Sequence, residues 1–137
     1  MKTTVRENIN APYSLHDMNV IAFEEQGDDL ILRLQYGMID CTPPSRQVDG
    51  HVVFQKVDWD FCFVYLLSPT GNTGVFQGEK LMLRDLILRY PQFGFSIIDE
   101  TYGYNQTKYS GYLTSQRHTW ECIIEIYHLG DMLFVEE

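Results

Sequence analysis

Strand alternation dominates the pattern of apolar and polar positions. Leu30, Leu32, Leu34 and Tyr36 alternate with Ile31, Arg33 and Gln35, and Ile21 and Phe23 do the same just upstream. A period of two puts alternate side chains on one face of a strand. With Gly27-Asp28-Asp29 as turn residues, this stretch predicts an antiparallel hairpin. Two more strands are predicted near 51–57 and 59–67. In the second, Trp59, Phe61, Phe63 and Tyr65 face one way and Cys62, Val64 and Leu66 the other. Both faces are apolar, which predicts a central strand covered on both sides. Runs at roughly 94–104, 108–117, 119–128 and 131–136 complete the set, with Trp120, Cys122, Ile124 and Ile126 on one inward face.

The helical period occurs once. Leu83, Leu86, Ile87 and Tyr90 make one apolar stripe, predicting a helix over about 79–90 that Pro91 ends. Glu79 near its start and Arg84 and Arg89 toward its end suit the helix dipole. Residues 37–47 read as a loop because Pro43-Pro44 cannot donate to a ladder. "SPTGNTG", residues 68–74, reads as a turn-rich connector, and residues 1–14 as a loosely ordered lead-in. The fold class expected is α+β, mostly antiparallel β: about eight strands as a sandwich or bent half-barrel with one helix, in a single domain over 1–137. A closed small-molecule-binding barrel is the alternative.

Charge narrows the partners. Nineteen acidic residues against ten basic ones leave a formal charge of −9, with no Lys/Arg run. Nucleic-acid binding by phosphate neutralisation is therefore not expected; the charge reads first as a solvated acidic surface and, as the alternative, as attraction to a basic protein partner. No apolar run approaches the roughly 20 residues that span a bilayer, and the amino terminus lacks the apolar core of a signal peptide. Three widely spaced cysteines, Cys41, Cys62 and Cys122, fit free thiols in a reducing cytoplasm. No membrane contact and no cofactor are expected, and a homodimer stays open.

Candidate chemistry is thin. No glycine-rich stretch matches a phosphate loop or a dinucleotide fingerprint. His118 and His128 lie on one predicted strand about 33 Å apart, too far to share an ion, so no metal site is expected. Cys62 and Cys122 sit in apolar strands, leaving Cys41 as the accessible thiol, with nothing basic beside it. Glu121 and Glu125 are about 13 Å apart on one strand face, too distant for a glycosidase pair. Asp58 and Asp60 are the remaining pair, with about 7 Å between backbones if both sit on one strand face, a spacing for activating a water. Flanking Trp59 at the mouth of a strand, they read first as ordinary exposed carboxylates, so no catalytic residue is expected.

The stretch "DETYGYNQTKYSGYL", residues 99–113, is the densest motif. A three-residue turn at Asn105-Gln106-Thr107 puts Tyr102, Tyr104 and Tyr112 on one face with Glu100 and Lys108; a two- or four-residue turn brings in Tyr109 for Tyr112. In either register Asp99 and Glu100 point to opposite faces. Tyr102, Tyr104, Tyr112, Glu100 and Trp59 are thus the candidate binding residues, since tyrosine gives large contact area at low entropic cost. The competing reading is cross-strand pairing that stabilises the hairpin by about 0.2–1 kcal/mol per pair.

The hairpin "LHDMNVIAFEEQGDDLILRL" followed by "GHVVFQKVDWDFCFVYLL" resembles the first half of small bacterial proteins, some of them immunity-protein-like, from polymorphic-toxin loci. That resemblance implies a non-enzymatic intracellular role and supplies no catalytic residues. The expectation is a small acidic binding protein. The alternatives are a small-molecule or carbohydrate-binding β domain using Tyr102, Tyr104 and Trp59, and a hydrolase built on Asp58 and Asp60.

Overall fold

The amino-terminal stretch does more than lead in. The computed structural model describes residues 1–7, 9, 11–67 and 77–137, and Lys2–Val5 (β1) and Tyr13–Ser14 (β2) are strands within it. β1 pairs antiparallel with the last strand of the chain, Lys2 opposite Glu136 and Val5 opposite Leu133. The Tyr13 ring lies 5.1 Å from that of Phe134, and its hydroxyl donates to Glu136 at 3.0 Å. A four-residue strand with one half-buried position carries no alternation to read, so the sequence hides it.

The period-two run folds as its pattern predicts. Asn19–Gln26 (β3) and Asp29–Leu34 (β4) pair from Gln26 opposite Asp29, so the turn is Gly27-Asp28. Gly27 sits at φ 59°, the left-handed region such a tight hairpin turn demands. Leu30 and Leu32 are fully buried. Ile21 departs from the pattern, because a bulge between Val20 and Ala22 turns it outward, 44% exposed, while Val20 and Phe23 go in. One extra residue breaks alternation, and no residue type announces it.

Residues 37–47 hold more than a loop: Met38–Asp40 (β5) and Arg46–Val48 (β6) join β2 in a small sheet ordered β2-β5-β6. Gly50–Phe54 (β7) follows. The predicted strand at 59–67 divides, since Trp59–Phe61 is one 3₁₀ turn and only Phe63–Leu66 (β8) is strand. Cys62, Val64 and Leu66 are buried, but Phe63 and Tyr65 are only half-buried, so β8 is covered on one side. The Lys80 ammonium lies over their rings, 4.1 and 5.5 Å from the two centroids.

The helix is shorter than predicted. Glu79–Met82 (β9) is an edge strand beside β8, and the helix, α1, spans Leu83–Arg89. Its stripe holds, with Leu83 and Leu86 buried and Ile87 and Tyr90 packed against the core. Glu79 lies outside the first turn and instead pairs with Arg89 at 2.7 Å. The connector at 68–74 lies outside the described residues.

Gly94–Tyr102 (β10), Gln106–Ser115 (β11), His118–Tyr127 (β12) and Met132–Glu136 (β13) complete the main sheet. It has ten strands, all antiparallel, in the order β1-β13-β7-β4-β3-β10-β11-β12-β8-β9. The fold is α+β and mostly antiparallel, and the described residues hold thirteen strands against the eight or so expected. The sheet is open, with edges β1 and β9, which removes the closed barrel. It bends so far that Val57, just after β7, forms a bridge with His128, just after β12. Its inner face is one core that includes Leu32, Phe54, Phe95, Tyr109, Leu113, Ile124 and Phe134. Fully burying each such side chain is worth about 1.5–3 kcal/mol. Among the described residues no helix is long and apolar enough to cross a membrane.

A second bulge, between Ile97 and Asp99, bends β10 where it meets β11. A Cβ at Gly111 would lie 1.8 Å from the Ser96 carbonyl oxygen, whereas at Gly103 it would meet nothing closer than 3.6 Å. Gly111→Ala should therefore lower stability by about 2 kcal/mol or more, read as a lower urea midpoint. Gly103→Ala should stay within about 1 kcal/mol of the parent.

Candidate functional site

The tyrosine hairpin divides its side chains among three places. Tyr102 pairs with Thr107, Thr101 with Lys108 and Glu100 with Tyr109, so four residues, 103–106, make the turn. This is the register that puts Tyr109, not Tyr112, beside Tyr102; the three-residue turn is not formed. Within the loop Gly103 donates its N–H to Gln106 O at 2.8 Å, and Asn105 takes φ 59°. Tyr104 is carried out of the sheet into the turn, 94% exposed. Tyr112 lies on the outer face, 46% exposed. Two tyrosines rather than three therefore converge on the carboxylate.

Those two are Tyr102 and Tyr109, on the inner side with Glu100. The Tyr102 hydroxyl donates to Glu100 Oε1 at 2.7 Å, and the two tyrosine rings meet edge-on at 6.1 Å. Glu100 also accepts the Leu15 N–H at 2.8 Å and the Ser14 hydroxyl at 3.2 Å. The Arg6 guanidinium lies 5.0 Å over the Tyr102 ring and donates to Gly103 O. Burial raises the pKa of both phenols, so they stay protonated and available as donors. The cluster binds the amino-terminal segment to β10: the carboxylate draws backbone and hydroxyl donors from three residues.

The turns at one end of the sheet are sewn together. Val57 donates its N–H to Asp28 O at 2.9 Å, Leu129 to Lys56 O at 2.8 Å, Gly130 to Gln55 O at 3.0 Å and His128 to Asn105 O at 3.0 Å. On this framework stand the exposed side chains of Tyr104, Leu129 and Phe61, and exposed Ile9 lines a cleft with Tyr104. Two clefts flank the Leu129 turn. One, of about 330 Å³, is lined by Asp28, Lys56, Asp58, Trp59, Asp60 and Arg84. The other, of about 260 Å³, is lined by Arg6, Glu7, Ile9, Tyr104, His128 and Asp131 among others. In the first cleft Arg84 lies 4.8 Å over the buried Trp59 ring while pairing with Glu25 at 2.7 Å. Carboxylates outnumber cations around both openings.

Asp58 and Asp60 share no strand face, because the chain turns as a 3₁₀ helix there. Asp58 Oδ1 caps that turn, accepting the Asp60 N–H at 3.2 Å, and Asp60 is exposed. Buried His128 donates from Nδ1 to the Gly130 carbonyl at 3.0 Å, since a carbonyl only accepts. Its Nε2, 3.2 Å from the Thr107 hydroxyl, is then the acceptor of the neutral ring. Among the described residues no three His, Cys, Asp or Glu side chains gather to hold a metal.

Of the sequence candidates, Trp59, Asp58, Asp60 and Tyr104 come to this turn-rich end. Glu100 and Tyr102 face inward, and Tyr112 stands on the outer face. Sequence reading misses Leu129, Phe61, Ile9 and Arg84. Leu129 leaves a trace, being a large apolar residue inside a Leu-Gly-Asp turn, where no core can receive it. Compared with family models, curated proteins and solved structures, the chain matches none.

Burial lowers the His128 pKa, with Asp131 and Arg6 as the charges acting on it. The unfolded chain, with a value of about 6.5, then takes up the proton first. Stability should be full above about pH 6.5 and fall as the pH drops toward the folded-state value. His128→Asn should flatten that slope between about pH 7 and about pH 5.5 in urea titrations; parallel slopes would refute the assignment. Burial also pushes the Cys62 and Cys122 thiols up to about 11 and about 12. A thiol reagent should label exposed Cys41 at once and the other two only on unfolding.

Proposed function

We propose that this protein acts without catalysis, by binding a basic protein partner through the turn-rich end of its sheet. The observation that carries the reading is the group of exposed apolar residues, Tyr104, Leu129 and Phe61, held on hydrogen-bonded turns, with exposed Ile9 lining the cleft at Tyr104. Large apolar groups on rigid supports lose little entropy on contact, which is what anchors at protein interfaces require. The carboxylates around both clefts and the formal charge of −9 suit a cationic partner, steering its approach and disfavouring acidic competitors. In its specific form the proposal is immunity-like: a bacterial cytoplasmic protein that occupies a basic toxin domain.

The test is capture of a partner from native cells, followed by titration of the purified pair. A basic partner should be recovered, with affinity falling at least about tenfold as salt rises through the physiological range. Leu129→Ala and Tyr104→Ala should each weaken binding by about 1–2 kcal/mol without changing the thermal midpoint. An affinity indifferent to salt, or to both substitutions, would overturn the reading.

A further inference from the structure

The outer face of the main sheet carries a second surface, built in mid-strand. Period two turns Tyr112 (β11), Glu121 and Ile123 (β12) and Leu67 (after β8) away from the core. The bulge in β10 adds to them. An extra residue at that point lets Ile98 and Asp99 face outward in succession, so an apolar wall and a carboxylate stand side by side. Register then fixes the neighbours: Asp99 lies opposite Ser110 and Ser110 opposite Ile123, while Tyr112 lies opposite Glu121.

Between these rows runs a groove of about 210 Å³, floored by the backbone of Gly111 and Cys122. Ile98, Ile123, Leu67 and Tyr112 line it, with Asp99 on the β10 side and Glu121 on the β12 side. Those two strands stand two spacings apart, about 10 Å. Among the described residues no lysine or arginine lines the groove, and neither carboxylate belongs to an ion pair; Asp99 takes only a 3.4 Å contact from the Ser110 hydroxyl. Beside it the same face supplies its own cations: one row toward the hairpin tip Lys108 pairs with Glu125 at 3.4 Å, and Lys80, two strands beyond Ile123 in the same row, covers Phe63 and Tyr65. The groove thus combines apolar walls with two carboxylates that no described cation neutralises.

We propose that the groove receives an arginine side chain from an extended segment of a basic partner. Its methylene stem would lie against Ile98 and Ile123, and its guanidinium would reach the flanking carboxylates and stack on Tyr112. The planar fork, with five donors, suits two acceptors on opposite walls better than the point charge of lysine. The site stands apart from the turn-rich end, since Ser110 is four residues, about 13 Å, from the start of β11. Each can therefore fail alone.

The test uses the full chain, ¹⁵N-labelled, titrated with a capped five-residue peptide having arginine between alanines, and with its citrulline counterpart. The backbone amides of Gly111, Tyr112, Cys122 and Ile123 should shift on adding the arginine peptide. The neutral, nearly isosteric citrulline peptide should bind at least about tenfold more weakly. Asp99→Asn combined with Glu121→Gln should produce a similar loss at an unchanged thermal midpoint, while Leu129→Ala leaves peptide binding as it was. Absent shifts, shifts confined to the Tyr104 and Leu129 turns, or equal binding of the citrulline peptide would overturn the proposal.

Discussion

A sheet of ten strands with one apolar face has to bend until that face is covered, and here the covering comes largely from the sheet itself. The bend closes at a seam where Val57 and His128, beyond the ends of β7 and β12, form a bridge. Around it, backbone hydrogen bonds join the segment at 55–58 to the turns at 28 and 129–130, and His128 to Asn105. The imidazole supports the seam from within, donating to Gly130 and resting 5.1 Å from the Phe54 ring. Because buried backbone groups must find partners, these bonds hold in place turns that would otherwise move freely.

Much of the surface follows from that bend. It brings the turns after β3, β10 and β12 and the 3₁₀ turn at Trp59 to one end, so that apolar tips distant in sequence become neighbours. The Glu100 cluster secures the opposite partner of the same geometry by tying Ser14 and Leu15 to β10. The β10 bulge has a different consequence on the outer face, where it sets Ile98 beside Asp99. One inserted residue therefore shapes a groove, just as the bulge at Ile21 puts an apolar side chain outside.

The charge pattern has a structural cause as well. Many of the ten basic residues are engaged within the chain: Arg33 with Glu24, Arg46 with Asp40 and Glu136, Arg84 with Glu25, Arg89 with Glu79, and Lys108 with Glu125. Arg6, Lys80 and Arg84 also lie over aromatic rings. Exposed pairs of this kind add little stability each. Their effect is to leave a surplus of carboxylates over cations at the clefts, and carboxylates with no described cation among the lining residues of the groove.

Periodicity by itself determined the β3–β4 hairpin and the inward row Cys122, Ile124 and Ile126, by alternation, and the helix stripe at Leu83 and Leu86, by its 3.6-residue period. Each rests on neighbours within one segment, and a single buried face imposes its period on the residues that make it. The four-residue turn after Tyr102 was open to the sequence as one of its registers and no more, since tyrosine suits either face of a strand. Only the tertiary structure decided that register, the two bulges, and the short strands β1, β5, β6 and β9. Those depend on pairing with partners far along the chain, and a strand two to four residues long takes its conformation from the edge it joins. The same holds for the functional surfaces: Tyr104 and Leu129, or Asp99 and Glu121, become neighbours only when the sheet has paired and bent.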